Sequence, residues 1–204
     1  MRSITNTMSR RGILVGTGGL LIGASLPSFA LGLTEQSAVT FIRKVVVDVN
    51  IVINSNKSET EILADFEGIF ADYSANSLIA KTALGAAGRK VSQNQLAAYI
   101  EAFQRYFSRK YGRQFRDFAD SEINIVGNRD LGSKGVLVKS IVEFSNKPSY
   151  DLDWWVIEVN GQPKLFDLVI EGISMISSER TEIGALLESL GGDIDRLTAK
   201  LEAT

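Results

Sequence analysis

The chain has 204 residues, with 22 Lys+Arg against 24 Asp+Glu for a net charge of −2, and it contains neither histidine nor cysteine. The two zeros exclude disulfides, thiol nucleophiles, Ser-His-Asp triads and histidine or cysteine metal ligands, so any chemistry would fall to carboxylates, Lys, Tyr or Ser. The near-neutral balance gives no electrostatic footprint for nucleic acid, and 45% hydrophobic with 23% charged residues is the composition of a folded globular chain.

Arg2, Arg10 and Arg11 precede an apolar stretch from Gly12 to Leu26, which ends at Pro27 and Ser28-Phe29-Ala30. A charged start, a short apolar run and small residues ahead of a cut predict a secretory signal peptide over residues 1–30. The pair in Ser9-Arg10-Arg11-Gly12 resembles a twin-arginine export signal. The apolar stretch is diluted by Gly12, Gly16, Gly18, Gly19 and Gly23, and it falls short of the ~18 residues of a spanning helix, although an uncleaved anchor is the alternative. Cleavage removes three arginines and no acid. What remains is one mildly acidic domain, residues 31–204, expected in the periplasm.

Residues 34–54 place Ala38, Phe41, Ile42, Val45, Val46 and Val49 at helical steps of three and four. Ser58 and Glu61 form a capping box that opens a second helix through Ile62, Phe66, Ile69 and Phe70. A short third helix over Ser77–Leu84 ends at Gly85. Ser92 and Gln95 repeat the capping pattern ahead of a long helix reaching at least Tyr111.

After Asp120 the period changes from helix to strand. Ile123–Val126, Val136–Phe144, Tyr150–Val159 and Leu165–Ile170 are rich in Val, Ile, Phe and Trp and are separated by turn residues, with Asn160-Gly161 the sharpest hairpin signal. They predict a four-stranded antiparallel meander. The tail returns to helix over Glu179–Leu190, breaks at Gly191-Gly192, and resumes over Asp193–Leu201. Helices, then a sheet, then closing helices make an α+β fold.

The fourth helix divides its residues by face. At about 100° per residue, Tyr99, Phe103, Tyr106, Phe107, Tyr111 and Phe118 share one side, while Arg105, Arg109, Arg113 and Arg116 share the other, with Lys110 on the aromatic side. One reading is a core face backed by a solvated arginine face. The other makes the aromatics the wall of an apolar cavity and the arginines a contact for anionic headgroups or an acidic partner.

Tyr99 to Phe118, Asp167-Leu168-Val169-Ile170-Glu171-Gly172-Ile173-Ser174-Met175 and the Arg180…Leu186-Leu187…Gly191-Gly192…Leu197…Leu201 tail together resemble the MlaC family. This is the periplasmic phospholipid-binding component of the Mla (maintenance of lipid asymmetry) system, also called the toluene-tolerance auxiliary family. The resemblance covers nearly all of residues 34–202. Two positions depart from its pattern: Pro163 stands where a Trp is usual, and Ile183 where the closing helix usually has an aromatic.

The resemblance implies a curved sheet and helices enclosing an apolar pocket, an NTF2-like cone. Its cargo is a phospholipid rather than a cofactor, and the lipid passes unaltered between an outer-membrane lipoprotein complex and an inner-membrane ABC transporter complex. Tails of on the order of 30 methylenes at about 0.8 kcal/mol each make exposure cost roughly 20 kcal/mol or more, so enclosure is required. The expected lining is Phe103, Tyr106, Phe107 and Tyr111 of the helix, with Val138, Val142, Phe144, Trp154 and Val156 of the second and third strands and Phe166, Leu168 and Ile170 of the fourth. Any one of these fits a solid core equally well, because pockets and cores use the same residue types.

Asp167 and Glu171 raise a carboxylate-pair alternative, a periplasmic enzyme of similar fold working by carboxylate or Tyr chemistry on a small hydrophobic substrate. A structural role for Glu171-Gly172-Ile173-Ser174 in the turn into the last helices competes with it. A third alternative is an adaptor that binds only protein.

Overall fold

The structure, a computed structural model, describes residues 32–114 and 121–204. The expected signal peptide, Arg116 and Phe118 lie outside the described residues. Among the described residues, six α-helices and a five-stranded antiparallel sheet form an α+β fold.

Helix α1, Glu35–Ile53, starts at a reciprocal box between Thr34 and Ser37 and buries Ala38, Ile42, Val45 and Val49 along one stripe. Helix α2, Glu59–Tyr73, starts at the Ser58–Glu61 box that the sequence shows. Helix α3, Asn76–Leu84, stops at Gly85, whose φ of +63° suits a residue without a Cβ. Helix α4 runs Gln93–Gln114 without a break at Gly112. Its start is fixed by Ser92 and Gln95, each side chain bonding the other's backbone N–H at 3.2 and 3.1 Å.

The strands are β1 Ser121–Asp130, β2 Val136–Phe144, β3 Tyr150–Val159, β4 Gln162–Ile170 and β5 Ile173–Ser174, paired in chain order. The expected count of four is corrected to five. Glu171 (φ +49°) and Gly172 (φ +79°) make a two-residue turn that folds Ile173 back opposite Ile170. A two-residue strand carries too little alternation to register as a period. The Asn160-Gly161 hairpin, with φ of +52° and +75°, forms as expected between β3 and β4.

Helix α5, Met175–Ser189, begins four residues ahead of its expected start because its cap comes from elsewhere in the chain. Ser174 Oγ accepts from Ser177 N, and the buried Asp167 carboxylate of β4 accepts from Ile176 N at 3.0 Å. Helix α6, Ile194–Glu202, is capped by Asp193.

The interior divides into two apolar clusters. One joins α3, α4, α5 and α6 around Tyr99, Phe103, Ile183 and Leu197. The other joins α1 and α2 to the sheet around Ile42, Phe66, Val138 and Trp154. Leu168 and Ile170 of β4 pack against both.

Candidate functional site

Between the two clusters lies a cavity of about 70 Å³ with almost entirely apolar walls. Helices α1 and α2 supply Val45, Val49, Phe66, Ile69, Phe70 and Tyr73. Phe107 and Tyr111 of α4 face them, and Phe70 stacks on Phe107 at 4.8 Å between centroids, with Phe107 against Tyr111 at 4.4 Å. Gly112 also lines the space; a Cβ there would stand 3.0 Å from Leu63 Cδ2, so the glycine is what lets α4 approach α2 closely.

The sheet side is Trp154 of β3 with Leu165, Phe166 and Leu168 of β4, and α5 closes one end with Met175 and Ile176. Trp154 is held by its own polar atom: Nε1 donates to Ser140 Oγ at 2.9 Å, and that hydroxyl donates to Leu152 O at 2.6 Å. A buried indole N–H without such a partner would cost about 1–3 kcal/mol.

Of the residues that the sequence nominates as lining, Phe107, Tyr111, Trp154, Phe166 and Leu168 meet at this cavity. Phe103 and Tyr106 lie in the helical cluster. Val138, Val142, Val156 and the half-buried Phe144 lie in the sheet cluster, and Ile170 packs between the two. The α1, α2 and α5 residues on the wall were not nominated. The α1 and α2 stripes are visible in the sequence, but a stripe shows only that a face is buried and not what it is buried against; Met175 and Ile176 fall before the expected start of α5.

Phe166 reaches the wall through an irregularity. Trp155 pairs with Asp167 and Val156 with Leu165, leaving Phe166 as the extra residue of a β-bulge. Strict alternation would have placed it with Leu168 and Ile170 by parity; instead the bulge brings Leu165 onto that face as well.

Asp167 and Glu171 both have structural partners. Asp167 gives its carboxylate to Ser174 and Ile176 N, and burial pushes its pKa above the ordinary value despite those bonds. Glu171 is exposed and accepts from Asp151 N at 2.6 Å. The two carboxylates therefore share no partner and each serves a turn or a cap.

Glu179, with 0% exposure, accepts at Oε1 from Lys110 Nζ and from Tyr111 Oη, each at 2.7 Å. Its Oε2 finds no partner among the described residues. Lys110 also reaches Glu182 and Tyr106 Oη. Burial works against the Lys110 charge, but its bonds to Glu179, Glu182 and Tyr106 outweigh that and hold the pKa above the ordinary lysine value. Burial first, then the Glu179 carboxylate, raises Tyr111 well above an ordinary phenol. Among the described residues no group of three or more acids could hold a metal ion, and no helix is long and apolar enough to cross a membrane.

The arginine face is partly used within the fold. Arg105 pairs with Glu202 at 2.9 Å, and Arg109 donates to the Leu201 and Glu202 carbonyls at 3.0 and 3.3 Å, closing the C-terminal end of α6. Arg113 is exposed.

The model of the MlaC protein family matches residues 43–203, which takes in the whole sheet, every cavity wall and both clusters apart from the first part of α1. The chain belongs to the MlaC family. A phospholipid-binding protein from Ralstonia solanacearum, solved in complex with a phospholipid, has the same fold: the TM-score is 0.67 over 81% of this chain and 98% of that one, at 16% identity.

Within the MlaC frame the Asp167…Glu171-Gly172…Ser174 pattern reads as construction. Asp167 and Ser174 cap α5, while Glu171 and Gly172 turn β4 into β5. Pro163, where a Trp is usual in MlaC sequences, sits opposite Glu158 near the β3–β4 hairpin and away from the cavity wall. Ile183 is fully buried in the helical cluster.

Proposed function

We propose that this protein is an exported, periplasmic carrier that encloses the acyl chains of a phospholipid, leaves its headgroup near solvent, and passes it between inner- and outer-membrane complexes of the Mla type. The carrying observation is the apolar cavity at the seam of the two clusters, in a fold shared with a protein solved holding a phospholipid. Holding and releasing the lipid need burial alone, so this is a binding protein and not an enzyme. The charged clusters beside the walls support that reading, since each acid there is occupied by a cap, a turn or Lys110.

Volume sets the mechanism. Ligand sites for molecules of this size hold about 300–1,000 Å³, against about 70 Å³ here. Loading therefore moves the walls apart. Roughly 20 kcal/mol from tail burial exceeds the loss of a few ring contacts at about 0.5–1.5 kcal/mol each. Arg113, exposed and without an ion pair among the described residues, offers a positive charge to an anionic headgroup or an acidic partner surface.

Native mass spectrometry and lipid extraction of protein purified gently from the cell envelope test the reading, with a diacyl phospholipid at one per chain expected. Protein that never carries such a lipid would sink it. Leu168→Glu puts a charge on a half-buried wall position. It is expected to abolish loading while the far-ultraviolet circular dichroism stays that of the folded chain.

A further inference from the structure

Two tyrosines stand on the cavity wall, and their hydroxyls are satisfied in different places. Tyr111 Oη donates inward to Glu179, which has 0% exposure. Tyr73 Oη donates outward to Asp48 Oδ2 and accepts from Lys44 Nζ, whose side chain is 64% exposed. The Tyr73 ring therefore runs from the apolar interior to charged groups in water, and it marks a place where the cavity wall meets the surface.

Helix α1 sets that border. Val45 and Val49 line the cavity one turn apart, and Lys44 and Asp48 precede them by one residue each, about 100° round the helix. The charged pair thus follows the edge of the wall stripe. Lys44 Nζ bonds Asp48 Oδ2 at 2.7 Å and lies 4.9 Å from the centre of the Tyr73 ring, and Phe41 meets that ring edge to face at 5.7 Å and 67°.

In this cluster an ammonium and a phenol converge on a single carboxylate oxygen. That is a pair of donors aimed at an anion, and the anion they hold is the chain's own. The Asp48 side chain is 33% exposed, so a turn into solvent releases the place.

We propose that Lys44 and Tyr73 form the phosphate subsite of the carrier: with both acyl chains enclosed in the cavity, a phosphodiester oxygen takes the place of the Asp48 carboxylate between Lys44 Nζ and Tyr73 Oη. The inference rests on the cavity being a lipid site. A phosphodiester brings one negative charge and acceptor oxygens, so it replaces the carboxylate like for like. Asp48 keeps the two donors aimed while no phosphate is there, and competes with phosphate when it arrives. A cluster that merely tied α1 to α2 would need Asp48 as much as Lys44, so the two substitutions separate the roles by sign.

Protein stripped of lipid is incubated with vesicles of phosphatidylglycerol that hold a minor share of diacylglycerol with the same acyl chains, and native mass spectra give the ratio of the two lipids carried. Dividing each variant's ratio by that of the wild type cancels the vesicles' own preference. Lys44→Met is expected to lower the ratio of phospholipid to diacylglycerol about fivefold, and Tyr73→Phe, which keeps the ring on the wall, about twofold. Asp48→Asn removes the competing anion and is expected to raise the ratio about twofold. Where Lys44→Met fails to fold, Tyr73→Phe decides.

An unchanged ratio in Lys44→Met and Tyr73→Phe, whatever the total loading, overturns the subsite and leaves the carrier reading standing, as does a ratio lowered by Asp48→Asn. Inorganic phosphate is the second probe and is expected to leave the thermal midpoint of the lipid-free protein unchanged. A rise in that midpoint that Lys44→Met abolishes makes this a site for the free anion and overturns the headgroup assignment. Wild type that loads neither lipid removes the carrier reading and this inference together.

Discussion

Lys110→Met tests the most buried charge beside the cavity. Glu179 is fully buried, and among the described residues only Lys110 and the Tyr111 hydroxyl bond its carboxylate. Removing one member of a buried pair costs about 3–5 kcal/mol, because the other charge stays in the interior uncompensated. The lower end applies here: Lys110 is 26% exposed, so water reaches the place its ammonium leaves, and Tyr111 continues to donate. A loss of about 3 kcal/mol corresponds to a fall of roughly 1–1.5 M in the urea midpoint, for a slope of about 2–3 kcal/mol/M. Replacing both, Lys110→Met with Glu179→Leu, removes the stranded charge and is expected to recover about 2 kcal/mol.

Unfolding is measured at neutral pH on protein stripped of lipid, since a bound ligand would add its own stabilisation. A single variant that loses under about 1 kcal/mol, or a double variant no more stable than the single, would refute the account of Glu179 as a charge held by Lys110.

The pH dependence of Asp167 has a defined sign. Its pKa is raised from an ordinary value of 3.8 by burial, so the stability it contributes is present below that value and is lost as pH rises through the folded one. Urea unfolding across that window should show the wild type losing stability relative to Asp167→Asn as pH increases; parallel curves would clear the carboxyl of responsibility. Gly135→Ala places a Cβ 2.1 Å from the Val156 carbonyl at a φ of +102°. A drop of more than about 2 kcal/mol is expected in thermal or urea unfolding, because the obstructing atom is backbone and cannot rotate away.

Much of the fold is legible in the residues themselves. Ser58–Glu61 and Ser92–Gln95 place two helix starts, Asn160-Gly161 places a hairpin, and the bounds of β2 and β3 follow from their Val, Ile, Phe and Trp content and the turn residues between them. The misses share a cause. The start of α5 depends on Asp167, which lies on another element, and β5 depends on a two-residue turn. β1 extends past the expected Val126 to Asp130 through residues such as Asn128 and Arg129, which an outer strand can turn to solvent. The cavity is harder still to read. Val142 in the core and Leu168 on the wall are the same kind of side chain, and the position of Phe166 follows from a bulge that shifts the register by one. Arg105 and Arg109 look like a free charged face until α6 is laid beside them.

The seam between the clusters bears on how the molecule comes apart. Each cluster has its own fully buried side chains, and Leu168 and Ile170 are half-buried links between them. The two are joined by β4 and by the α2–α4 contact, where Phe70 stacks on Phe107 and Gly112 lies against Leu63 and Phe66; clusters of this kind are expected to open with different local free energies. Hydrocarbon placed in the seam would touch both clusters at once and turn two interiors into one continuous interior. Filling the seam is therefore expected to make the chain melt as one body, and an empty seam to let the helical and sheet parts exchange their amides on separate timescales.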